Sequence, residues 1–146
     1  MGYCMKPLQF AAALSLLFMT SACAQETGCA FSGQTIFPEL EGAEAAFLSG
    51  DFARFVALAS EGMPQLDRDA LIAPLAEAVP AGFASCTTVL QREDVGGLVQ
   101  ELTLFSAADD AGFVVLYMQS ALIDGNRRVL QFSFDSDLNK MLALLK

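Results

Sequence analysis

From residue 83 onward apolar and polar side chains alternate in four successive runs, and this two-residue period commits the second half of the chain to a sheet. The candidate strands are 83–92, 98–107, 112–122 and 127–135. They are separated by the turn-forming stretches Asp94-Val95-Gly96-Gly97, Asp109-Asp110-Ala111-Gly112 and Asp124-Gly125-Asn126. Connectors this short join neighbouring strands antiparallel, because a parallel crossover needs a dozen or more residues.

Upstream of residue 83 the period is helical. Between 40 and 60, Ala43, Phe47, Phe55, Leu58 and Ala59 fall on one side of an amphipathic helix pattern, which Ser49-Gly50-Asp51 interrupts. Two helices are expected there, with Ser49 or Asp51 capping the second. Gly62 and Pro64 end that unit. Asp67 or Asp69 can cap a third helix running to about Ala78, with Leu71, Ile72, Leu75 and Val79 on its apolar side. A last helix is expected from about Asp137 to Leu145, capped by Asp135 or Ser136. The fold class is therefore α+β: N-terminal helices packed on a curled antiparallel sheet of about four strands, with a short C-terminal helix.

The N-terminus reads as an export signal. Lys6 is followed by the apolar run 8–19 and then by Thr20, Ser21, Ala22, Cys23 and Ala24. Twelve apolar residues fall short of the ~20 needed to span a bilayer as a helix. Cleavage after Ala24 would leave Gln25 first and give a periplasmic or secreted protein. Thr20-Ser21-Ala22-Cys23 also fits a lipobox, in which Cys23 would be diacylated and hold the chain to a membrane. The organisation is then 1–24 signal peptide, 25–39 irregular N-terminal segment and 40–146 a single α+β domain.

Export sets the charge and the cysteine chemistry. Lys6 is the only charged residue in 1–24, so the remainder carries 7 basic and 17 acidic side chains, a formal charge of −10. A surface of that sign repels phosphate, which argues against nucleic acid as a partner. Cys29 and Cys86 are the cysteines left after cleavage, and an oxidising compartment favours their pairing as a disulfide. The chain has no histidine, which removes Ser-His-Asp and Cys-His nucleophile pairs and imidazole metal sites. No glycine fingerprint for phosphate or dinucleotide binding occurs, and no cofactor is expected. Asp135-Ser136-Asp137-Leu138-Asn139 imitates the opening of a calcium loop, but Lys140 stands where the turn glycine belongs, so the segment reads as a helix cap. Arg127-Arg128 reads as a solvated strand end.

Two features of the strands bear on function. In 112–122, Phe113, Val115 and Tyr117 lie on one face and Val114, Leu116 and Met118 on the other, so both faces need cover. Either the strand is central within one chain, with Leu138, Met141, Leu142 and Leu145 of the last helix as cover, or a second copy packs against the sheet as a homodimer. Glu101 sits among Val99, Thr103 and Phe105 on one strand face. It is either an exposed strand charge, which the cost of burying a lone carboxylate favours, or an acid lining a cavity with a raised pKa. Tyr117, Gln119 and Gln131 are the sheet residues that could join it in a candidate pocket.

Helices followed by a curled sheet over roughly 40–146 resemble the cone-shaped fold of the nuclear-transport-factor-like superfamily. Phe47-Leu48-Ser49-Gly50-Asp51-Phe52 looks like the helix junction common there, and Met63-Pro64-Gln65-Leu66 through Leu71 into Leu75 is similar to small secreted bacterial members of unknown function. The resemblance implies a pocket between sheet and helices and a dimer through the sheet. Enzymes of that superfamily often place an Asp and a His in the cone, and no His is present here to carry over. Two functions stay open: a noncatalytic exported binding or interaction module with a small apolar pocket, or a small pocket enzyme using Glu101 as a general base.

Overall fold

Pro38, whose fixed φ suits the first helical position, opens α1 (Pro38–Leu48), and Glu39 and Glu41 in its first turn complement the helix dipole. The helix ends where Gly50 takes φ 74°, a left-handed conformation that glycine adopts without strain. Asp51 then caps α2 (Phe52–Ala59) by accepting a hydrogen bond from the Arg54 amide. The junction is thus the expected two-helix break, with Asp51 as the cap. α3 (Asp69–Ala78) starts where Asp67 Oδ1 accepts from the Ala70 amide. These assignments come from a computed structural model that describes residues 28–109 and 112–145; the expected signal segment 1–24 and the lipidation candidate Cys23 lie outside the described residues.

The sheet comprises β1 (Phe83–Asp94), β2 (Leu98–Ala107), β3 (Phe113–Ile123) and β4 (Asn126–Asp135), antiparallel in the order β1-β2-β3-β4. Asp124 and Gly125, both at positive φ, make the tight β3–β4 turn that an Asp-Gly pair favours. Register shifts between Thr88 and Leu90 and between Gln119 and Ser120 mark bulges, which curl the sheet. The fold is the expected α+β arrangement.

One sheet face packs on the helices. Phe47 of α1 is the hub: its ring lies 4.7 Å from Phe105, 4.8 Å from Phe55, 5.1 Å from Phe83 and 5.5 Å from Phe52, mostly edge to face. Leu40, Val56, Leu75, Val99, Leu116 and Met118 complete this core. Leu58, expected on the buried side of α2, is instead exposed, and Phe52 and Val56 take the core positions. The break at Gly50 restarts the helix at a different rotation, so a stripe projected through it drifts off the core.

The opposite face has its own small core of Leu102, Val115, Tyr117 and Met141, flanked by Leu90, Leu138, Leu144 and Leu145. Its cover is α4 (Leu138–Leu142), shorter than the expected 137–145. Asp137 caps it, rather than Asp135 or Ser136, accepting from the Asn139 and Lys140 amides. Asp135 accepts from the Asp137 amide and pairs with Lys140, which holds the Asp135 carboxyl below its usual range. Both faces of β3 are therefore covered within one chain.

Candidate functional site

Cys29 and Cys86 form a disulfide with Cα atoms 5.0 Å apart. The Cys29 carbonyl accepts from the Thr88 amide at 2.6 Å, so residues 28–37 lie along β1 as a strap. Further along, Gln91 clamps the strap at Thr35: its Nε2 donates to the Thr35 carbonyl at 2.9 Å and its Oε1 accepts from the Thr35 amide at 3.2 Å. Arg127, expected as a solvated strand end, is half-buried and stacks 4.2 Å over the Phe37 ring while donating to Gly97 O and Ser120 Oγ. An apolar stem and a charge-delocalised head let it pin three segments at once.

Under this strap sits Glu101, only 2% exposed. The expectation of an exposed strand charge is corrected, and the physical reason is its satisfied hydrogen bonding. Glu101 Oε2 accepts from Gln34 Nε2 at 2.9 Å and from Gln91 Nε2 at 2.6 Å. The acid is not alone either. Glu44 of α1, also buried, hydrogen-bonds Glu101 and accepts from the Thr103 hydroxyl, which in turn lies 3.2 Å from the Thr88 hydroxyl. Burial, and next the negative charge of Glu101, push the Glu44 carboxyl up to about 9, so it is protonated at neutral pH and can donate to its neighbour. One charge shared by two buried acids is far cheaper than two.

The cavity beside this pair, lined by Gln34, Phe37, Leu40, Glu41, Glu44 and Glu101, has a volume of about 10 Å³, room for a single water. The sequence missed Glu44, although its place on the same helical stripe as Leu40, Ala43 and Phe47 was a readable signal.

Tyr117, Gln119 and Gln131 do not join Glu101. Glu101 stands opposite Met118 in the β2–β3 register, whereas Tyr117 stands opposite Leu102 on the other face. Tyr117 is buried under α4 with its hydroxyl 3.2 Å from Gln100 Nε2, and burial raises its pKa. Gln119 is half-buried and pairs with Gln131 on β4.

Gln131 lines a different depression. A groove of about 300 Å³ runs beside β4, bounded by Met63, Leu66 and Leu71 on one wall and by 130–134 on the other. Five consecutive strand residues can line one groove only where it follows the strand's edge, since neighbours point to opposite faces. Leu130, the bulged residue of β4, is 42% exposed there.

Among the described residues no group of three or more His, Cys, Asp or Glu side chains is placed to hold a metal ion, and no helix is long and apolar enough to cross a membrane. The disulfide is compatible with an extracellular or periplasmic protein. No protein-family model, curated protein or solved structure matches the chain.

Proposed function

We propose that this chain is an exported, noncatalytic binding module, and that the groove between β4 and the 63–71 segment takes a small apolar molecule. The groove is the observation that carries this reading. Its volume of about 300 Å³ lies at the lower end of the ~300–1,000 Å³ typical of ligand pockets. Its walls are predominantly apolar, with Gln131 and Ser133 as the polar groups that could orient a ligand. The export signal read at 1–24 and the disulfide support secretion or a periplasmic location. A pocket between sheet and helices also accords with the resemblance to the nuclear-transport-factor-like cone.

The other reading, Glu101 as a general base, needs substrate beside the carboxylate. A cavity of about 10 Å³ leaves no such room, the Glu101 carboxylate already accepts from the Gln34 and Gln91 amides, and the acid pair is better understood as a fastening between α1, β2 and the strap. The chain is taken to act alone, because α4 lies on the sheet face through which a homodimer would form.

Titration with Nile red, a neutral apolar dye, tests the reading. Saturable binding should be lost in Leu66→Glu and Leu130→Glu, and kept in Glu101→Gln. Dye binding that is unchanged by both groove substitutions would refute it.

A further inference from the structure

We infer that the natural occupant of the β4 groove is an extended peptide segment, apolar at alternate positions and basic at its ends, which adds to the sheet as a fifth strand; this rests on the reading of the groove as the binding site. β4 is an edge strand among the described residues, paired with β3 only. Among the described residues, no backbone hydrogen bond outside the β3 ladder reaches 130–134. The outward N–H and C=O groups of that stretch therefore border the groove itself. A sheet edge of this kind is a template for another strand, and nothing in an isolated apolar molecule can use it.

The platform has defined ends. Toward Val129, the carbonyl oxygen of that residue lies so close to Gly62 that a Cβ there would approach it to 3.4 Å, and the bulge at Leu130 breaks the ladder. At the far end the strand finishes at Asp135. About five residues are accessible, roughly 17 Å of strand at ~3.3 Å per residue. Alternate side chains of an added strand would point into the apolar wall formed by Met63, Leu66 and Leu71.

Charge selects the peptide's ends. The wall segment carries Asp67 and Asp69 against Arg68, and Glu61 just precedes it, all exposed, on a chain of net charge −9. Basic residues flanking the apolar ones complement that rim. The same rim argues against a second copy of the chain pairing edge to edge, since it would bring two acidic walls together.

The test uses the disulfide-intact protein with the synthetic peptide Lys-Val-Thr-Val-Thr-Val-Lys. Three control peptides accompany it: two N-methylated at alternate backbone positions, one for each edge, and one with Glu in place of both Lys. The unmodified peptide should displace Nile red and slow amide exchange within 130–134 by roughly tenfold. Methylation of the bonding edge should abolish this, and the Glu-flanked peptide should bind roughly tenfold more weakly at low salt, with the gap closing at high salt. Dye binding without displacement or protection overturns the peptide inference and leaves the small-molecule reading standing. Peptide protection without dye binding does the reverse, and failure of both removes both. Protection of 130–134 without peptide, together with sedimentation as a dimer, would show that a second copy occupies the edge and would also overturn the inference.

Discussion

Replacing Glu44 with Gln should make the protein more stable at neutral pH and remove most of its alkaline sensitivity. Gln keeps the geometry: its amide can donate to Glu101 and its carbonyl can accept from the Thr103 hydroxyl, as the protonated acid does. What it removes is a proton equilibrium. Glu44 is raised from 4.5 to about 9 by burial first and by Glu101 and Glu41 with it. Between those two values the folded state holds a proton that the unfolded state releases. Stability from this group is therefore complete below about pH 4.5 and declines as pH rises toward 9.

At ~1.4 kcal/mol per pH unit the decline amounts to about 3 kcal/mol by pH 7, and to about 6 kcal/mol by pH 9, as an upper bound. The carboxyl of Glu41, the amides of Gln34 and Gln91 and the hydroxyls of Thr103 and Thr88 surround the pair, and Glu44→Gln leaves all of them in place. Urea unfolding followed by circular dichroism at pH 4, 7 and 9 gives the comparison. The variant should match the wild type at pH 4 and exceed it by up to about 3 kcal/mol at pH 7. A variant whose stability falls with pH in parallel with the wild type would refute the protonated-pair assignment.

Other outcomes follow from the same structure. Replacing both Cys29 and Cys86 with Ser opens a link across 57 residues and should cost about 4 kcal/mol in urea unfolding; an unchanged midpoint would mean that the strap needs no covalent anchor. Leu116→Lys and Tyr117→Lys should both unfold the domain, because Leu116 faces the helices and Tyr117 lies under α4. A folded monomeric Tyr117→Lys protein made from a wild-type dimer, read by sedimentation, would instead identify that face as an interface. Intact-mass analysis of exported protein should find Gln25 at the N-terminus, whereas a diacylated Cys23 would establish the lipoprotein route.

The sheet was legible because alternation and turn residues are local. β2 matches its expected limits, and Asp-Gly at 124–125 makes the tight turn its chemistry predicts. The Cys29–Cys86 pairing was legible because, of the four cysteines, Cys4 and Cys23 fall in the expected signal segment and the remaining two admit one bridge. The acid pair was not, because it depends on distant meetings. Thr103 and Glu44 are 59 residues apart, and Gln34 and Glu101 are 67 apart. A strand pattern assigns Glu101 to a face but does not say whether donors await it there.

The grouping of Glu101 with Tyr117, Gln119 and Gln131 failed on register. β2 and β3 pair odd-numbered with even-numbered residues, so the odd-numbered residues of the two strands face opposite ways. The cover of β3 needed knowledge of where α4 docks, and the apolar side chains of 138–145 alone did not supply it. The β4 groove was invisible for a further reason: its walls come from a loop and a strand edge, neither of which has a periodic signature.

Methyl-labelled NMR with Nile red added to the disulfide-intact protein locates the bound dye residue by residue. Occupancy of the β4 groove should shift the methyl groups of Met63, Leu66, Leu71 and Leu130 and leave Leu40 beside the acid pair unmoved. Shifts centred on Leu40, with Met63, Leu66 and Leu71 undisturbed, would place the binding site under the strap beside Glu101 and contradict it.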